Sequence, residues 1–544
     1  MEFLHNIDWK KYGWVTLLVI IFAIGVWLRL THYGELLIIK SDQARDALII
    51  KNVTAVGFQS LPLLGPQVGG TYFRLGPIFY YFQYFSGQIF GGTTESFSYP
   101  DLIFGILTLP LLFLLLRRFF ILSLSLWLTA LASVSIFLVT FSRFGWNPNS
   151  LPFFATTFAL SFLIALEQTG WKRRGFLILA AVSMGVIAQL HLVAILGLGL
   201  GLVLFLIFFK PLKWQELALC GMIVLAFQLP VLIYEQQNNG ANIRAFFRAA
   251  DNKGSQNTNH SWYEKSFRAY QEDADVMWLI LTGYENTALV TTKSLSIKCD
   301  DKCVSALPFS AAAMLLFGYI LAANYCVWRS IKDAVKKRAF AFIGLWIGGF
   351  LILTIPLAYQ LETRFFLSII PLLFILIGFT VIHTVNRYPI SQTKIILASI
   401  GTMAILINFQ VSTRYLHELS TSITSADESN RDLRFGTAPK VTLGQLRAIA
   451  REASAHFAPG ETVIITGESL YAKAMYYVLS VEFGYPGCYI RGDKTVSDHF
   501  NNHLIIEYTP SAKTSTPFGT LSAGFEARSS SQTAAPLPKN CLTY

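Results

Sequence analysis

The chain has 544 residues, 53% of them apolar, only 14% charged against about 25% in ordinary globular chains, and a net charge of +11. This composition excludes a disordered chain, a coiled coil and an ordinary cytosolic enzyme, and apolar runs near 20 residues long make it a polytopic membrane protein. The basic residues fall in short loops between the apolar runs and not along one face with interleaved aromatics, which excludes a nucleic-acid partner.

The first apolar run, 14–30, leads into "RLTHYGELL", which lacks a small-residue cleavage site, so it is expected to stay as a signal anchor. An outer loop, 31–97, follows. Its stretch "IIKSDQARDALIIKNV" would, as a helix, place Arg45 near Asp42 on one face, with Asp46 four positions from Asp42. The pattern fits a solvated ion pair at an interfacial helix start, with Asp42 or Ser41 as N-cap. It equally fits a carboxylate held beside a cation and able to accept a proton from a hydroxyl. The later stretch "GGTYFRLGPIFYYFQYFSGQIFG" is apolar and aromatic but broken by Gly76 and Pro77, and reads as a helix lying along the interface. Its Arg74 suits an anionic lipid head group or a snorkelling anchor.

Spans are expected at 98–116, 121–140, 150–166, 176–190, 192–209 and 216–233. The turn "SRFGWNPNS" between the third and fourth spans carries Asn147 and Asn149, and His191 in "AQLHLVA" separates two runs that could be misread as one helix. His191 has either an interfacial structural role or a catalytic one. The loop 234–304 is polar and aromatic by turns, as a lid or a plain mobile loop would be. Runs at 305–327, 339–357, 365–384 and 394–411 complete a set of about eleven spans. Before the tenth, "AYQLETRFFLSIIP" holds Glu362 and Arg364, the latter an interface anchor or a phosphate or acceptor ligand.

Under alternation, Lys10, Lys11, Arg117, Arg118, Lys172 to Arg174, Lys210, Lys213, Arg329 to Arg338, Arg387 and Lys394 all fall on one side, which marks it as cytoplasmic. The protein is thus expected in the plasma (inner) membrane with a cytoplasmic N-terminus. Its tail, 412–544, lies outside and alternates helix-like and strand-like segments, as a small α/β domain does. Beyond Thr509 the Ser, Thr, Pro and Ala content suggests that the last ~35 residues are poorly ordered. Four cysteines map outside, so Cys488 could pair with Cys541 and Cys299 with Cys303, unpaired thiols being the alternative. The cysteine spacing is not that of a zinc site, and there is no nucleotide-binding motif or metal cluster, so no metal or other cofactor is expected.

The order of one span, an outer "SDQARDA", then "YFRLGPIFYYF", then a span ending in "RRFF" resembles the polytopic glycosyltransferases of the GT-C fold. The branch is that of the protein O-mannosyltransferases and the lipid A aminoarabinose transferase, and the likeness covers residues 10–411. It implies a GT-C-like membrane domain, 1–411, with a small extracytoplasmic α/β domain behind it. It also implies transfer of a hexosyl or pentosyl unit from a polyprenyl-phosphate donor to a hydroxyl of a lipid, glycan or protein, with inversion, at the outer face. The family's acid, general base or acceptor-positioning group, falls on Asp42. Its motif arginine falls on Arg45, and its lysine on Arg74, the two cations for the donor phosphate. Where relatives often have a glutamate this chain has Gln43, and where they often have an aspartate it offers Asn147 and Asn149. Asp46, Asn147, Asn149, His191, Glu362 and Arg364 remain possible substrate-binding residues. A transporter or flippase of a lipid-linked or anionic substrate is the rival reading, but its polar groups would sit near the midplane in two related halves. A membrane-anchored module working through its tail ranks third, because the tail shows no nucleophile or metal constellation.

Overall fold

The computed structural model describes residues 9–69, 71–256, 260–284, 307–421, 441–454, 463–467, 469–489, 504–508 and 525–529. All eleven expected apolar runs lie on helices. Among the described residues, eight helices are long and apolar enough to cross a membrane. A ninth crossing requires Trp214–Phe227 and Leu229–Gln237 together, which meet at 56°. Pro230, in the first turn of the second piece, explains the break, since it lacks an N–H for the preceding turn. The runs expected at 121–140 and 150–166 give shorter helices.

The first of those shortfalls has a physical cause. The run 121–140 breaks at Ser135 (φ −56°, ψ 118°) into Leu122–Val134 and Ile136–Phe141. Backbone carbonyls freed inside apolar surroundings must find donors. Arg29 Nη1 donates to Ser133 O at 2.9 Å and Ser412 Oγ to Val134 O at 2.8 Å, so two other spans close the gap. Arg143 does similar work at the end of the first span, α1 (Trp9–Leu30). It donates to Leu28 O at 3.0 Å, Arg29 O at 2.7 Å and Thr31 O at 2.7 Å, placing a cation on the negative end of the helix just before segment 31–97 begins.

Close helix contact is built from small residues. A Cβ on Gly201 of helix Leu192–Phe209 would stand 2.5 Å from Trp346 Cα, and one on Gly197 would stand 3.2 Å from Phe350 Cα. These glycines, four apart, let helix Ala334–Thr354 lie directly on the backbone of its neighbour.

Segment 31–97 carries α2 (Ser41–Val56) and α3 (Ile78–Phe90). With 13 residues α3 is too short to cross; it buries Phe79, Tyr80 and Gln83 while Phe85, Ile89 and Phe90 stay exposed. Neither Asp42 nor Ser41 caps α2. The N-cap is Lys40, and its N–H donates to the side-chain Oε1 of Gln43 at 3.1 Å, so the residue at the acid's place serves the helix end. The described part of segment 234–304 is more regular than a plain loop, with helices Ala241–Gln256 and Trp262–Thr282, the second burying Ala269, Ala274, Met277 and Ile280. Six charged residues within 264–275 hide that helical stripe in the sequence.

The tail carries a four-stranded sheet in the order β2-β1-β3-β4: β1 (Val463–Gly467), β2 (Gly487–Tyr489), β3 (Leu504–Tyr508) and β4 (Phe525–Ser529). β1 pairs in parallel with β2 and β3, and β4 returns antiparallel to β3. β4 lies beyond Thr509, where the composition suggested poor order; pairing with β3 supplies the hydrogen bonds that composition does not reveal. Cys299, Cys303 and Cys541, and the side chain of Cys488, lie outside the described residues.

Candidate active site

The first turn of α2 brings three expected residues together. Arg45 donates from Nη1 to Asp42 Oδ1 at 3.0 Å and from Nε to Asp46 Oδ1 at 2.8 Å, so one guanidinium bridges two carboxylates. The helix turns these acids to different surroundings. The Asp42 side chain is half exposed and that of Asp46 fully buried. Tyr80 of α3 donates to the same Asp46 oxygen at 3.0 Å, while Oδ2 of Asp46 is buried without a hydrogen-bond partner among the described residues. Burial pushes the Asp46 carboxyl up to about 6 against the opposing pull of Arg45. Burial disfavours the charge on Arg45, but Asp46 and Asp42 more than offset it, so the guanidinium stays charged.

Asp42 also faces a second cation. Burial lowers the proton affinity of Arg364, and the carboxylates of Glu362 and Asp42 oppose it. Arg364 is held by Glu362 at 2.8 Å and lies over the Trp146 ring, 4.7 Å from its centroid. His191, at the break between helices Gly170–Leu190 and Leu192–Phe209, packs edge-on to Phe365 at 5.1 Å. Glu362 and Arg364 therefore form an ion pair within reach of the Asp42 charge, and His191 meets the same segment through Phe365. Asn147 and Asn149 are engaged structurally: Asn147 Nδ2 donates to Leu190 O at 2.6 Å and Asn149 Nδ2 to Phe144 O at 2.7 Å. The acid serving their turn is Asp101, buried, which accepts from Trp146 N at 2.8 Å and from the Ser150 hydroxyl. Nothing in the local sequence links Asp101, 45 residues upstream, to that turn.

Arg74 stands on a different support. Residues 65–69 and 71–75 pair as the two arms of a hairpin, with Gly65 N–H donating to Leu75 O at 2.8 Å, Leu75 N–H to Pro66 O at 3.0 Å and Val68 N–H to Phe73 O at 2.9 Å. A Cβ on Gly65 would lie 2.0 Å from Gly76 O, so only glycine fits. Asn242 clamps the hairpin to helix Ala241–Gln256: its Oδ1 accepts from Arg74 N at 2.8 Å and its Nδ2 donates to Arg74 O at 3.0 Å. Phe73 and Phe246 pack edge to face at 5.3 Å across the same seam.

That seam encloses a cavity of about 410 Å³ lined by Arg74, Arg244, Arg248, Tyr72, Tyr234 and Asn242 among others, and no carboxylate among the described residues lines it. Three guanidinium groups around one space suit a phosphate. Arg244 and Arg248 escaped the sequence reading; their spacing of four is the only local signal, and their closeness to Arg74 depends on contacts 168 residues apart. The cavity is linked to the α2 acids electrostatically, since the charge of Arg74 acts on the Tyr80 hydroxyl that binds Asp46. Among the described residues no group of three or more His, Cys, Asp or Glu could hold a metal ion.

The fold is that of a polytopic membrane protein of the GT-C architecture, and acids and several arginines gather on its segments 31–97 and 234–304. Among solved structures the chain is similar to ArnT from Cupriavidus metallidurans. The apo state aligns with a TM-score of 0.57 at 13% identity, covering 92% of this chain and 93% of that chain. The same protein bound to undecaprenyl phosphate aligns with a TM-score of 0.52 at 15% identity, covering 91% and 93%. No family model and no curated protein matches the sequence.

Proposed function

We propose that the chain is a membrane glycosyltransferase that moves a monosaccharide from a polyprenyl-phosphate donor to an acceptor hydroxyl at the outer face. The observation that carries this reading is the three-arginine cavity, whose Arg74 acts on the Tyr80 hydroxyl that binds Asp46 on the Asp42 helix. A fold shared with ArnT, one of whose structures holds undecaprenyl phosphate, supports it. In this mechanism Arg74, Arg244 and Arg248 hold the donor phosphate, with Arg45 on the side of α2. Asp42, half exposed, orients the acceptor and takes its proton. The acceptor oxygen forms a bond to the anomeric carbon from the face opposite the phosphate, the bond from that carbon to the phosphate oxygen breaks, and polyprenyl phosphate leaves with the electron pair. The configuration inverts. Guanidinium groups fixed where charge grows on the leaving phosphate are the largest electrostatic aid such a transfer can have. Asp46 is too deeply buried to meet an acceptor and acts as the anchor of Arg45. Incubating the purified protein with radiolabelled polyprenyl-phosphate hexoses and pentoses and a membrane-lipid acceptor fraction tests the reading. Release of polyprenyl phosphate with matching labelled product is expected for at least one sugar. Release from none of them, with the protein intact and folded, would exclude it.

A further inference from the structure

The tail domain grips the outer loop at both ends of the segment that carries α2. At one end, Leu443 N–H donates to Leu37 O at 2.7 Å and Gly444 N–H to Glu35 O at 3.0 Å, and Thr442 bridges Ile38, three residues before α2 begins. Space there is tight, since a Cβ on Gly444 would lie 2.9 Å from Glu35 O. At the other end, Arg447 donates to both oxygens of Glu95, Nη2 to Oε2 at 3.2 Å. The same guanidinium bonds Glu482 of the tail domain, Nε to Oε2 at 2.7 Å and Nη2 to Oε1 at 2.9 Å. Thr94 adds a bond to Tyr477 at 3.0 Å and one to Glu482. Helix Ser469–Tyr477 packs directly along α2. One arginine therefore carries two carboxylates across this contact, with its side chain about a quarter exposed.

We propose that the tail domain is a clamp that fixes α2 in position, with Arg447 as a positioning residue for the Asp42 chemistry; this rests on the reading of Asp42 as the base. Positional slack of about 1 Å at a reacting group can cost on the order of 100-fold in rate. Breaking the clamp should therefore lower kcat far more than it raises KM for the donor, because three of the four arginines on its phosphate, Arg74, Arg244 and Arg248, stand on the other support and only Arg45 moves with α2. The experiment uses the full chain in lipid nanodiscs, comparing wild type, Arg447→Ala, Arg447→Lys and Glu95→Gln. It reads amide hydrogen exchange across residues 41–56 together with kcat and KM. Arg447→Ala and Glu95→Gln should speed exchange in 41–56 without changing it in the spans, and should lower kcat at least about 10-fold with donor KM within about twofold. Arg447→Lys should recover part of both. If Arg447→Ala does not fold, Glu95→Gln decides alone, because it leaves the Arg447 pair with Glu482 intact. Unchanged exchange in 41–56 overturns the clamp, and faster exchange with unchanged kcat overturns the positioning role. A wild-type protein without transfer activity would instead refute the proposed function, and the exchange arm would still test the clamp.

Discussion

Asp42 and Asp46 are four residues apart on one helix, share one arginine, and differ in water access, and the proposed mechanism gives them different roles on that ground. Asp46 is charged in a place that favours its neutral form. Between about pH 4 and 6 the folded protein holds a proton there that the unfolded chain has lost, so stability falls as pH rises through that window and is level above it. The difference is worth about 3 kcal/mol. Thermal unfolding of wild type and Asp46→Asn across pH 4 to 8 should show this slope in the wild type and its loss in the variant; parallel curves would mean that Asp46 does not titrate there. For the donor, guanidinium geometry matters as well as charge. Arg74→Lys should weaken binding of polyprenyl phosphate, and Arg74→Ala should weaken it further, by about 10- to 100-fold for a lost charged hydrogen bond. Titration of the purified variants with polyprenyl phosphate checks both, and unchanged affinity would make Arg74 an interface anchor.

At the scale of elements, the cavity exists because a hairpin and a helix are pinned together at Asn242. Gly65→Ala, which touches no ligand, should therefore displace the hairpin and weaken polyprenyl phosphate binding as Arg74→Ala does, while a Gly→Ala change at Gly69, with nothing within 4 Å, should not. Equal affinities in the two variants would detach the hairpin from the site. Legibility in the sequence followed the range of the interactions. The apolar runs, the α2 motif and the short α3 were visible because hydropathy and three- or four-residue spacing are local signals. Helix Trp262–Thr282 was hidden because charged residues interrupt its apolar stripe. Arg244 and Arg248 were hidden because only the fold brings them to Arg74, and the break at Ser135 because its stabilising donors, Arg29 and Ser412, come from elsewhere in the chain. Asn147 and Asn149 looked like site residues by position, but their amides hold backbone carbonyls.

For the whole molecule, the spans, the outer loops and the docked tail make one assembly whose chemistry requires a defined side of the membrane. From the loop charges that side is expected to be outside the cell. A cysteine introduced at Ser529 should react with a membrane-impermeant thiol reagent in intact cells and one at Lys336 should not, and the reverse labelling would move the site to the cytoplasmic face. The most direct test of the account is single-turnover sugar transfer in proteoliposomes by wild type and Asp42→Asn, with donor binding measured on the same samples. An amide keeps the shape of the carboxylate and leaves the phosphate cations in place, while general-base assistance is worth about 10²- to 10⁴-fold. Asp42→Asn should bind donor as wild type does and transfer slower by that order. Transfer at a near-normal rate by Asp42→Asn would contradict it.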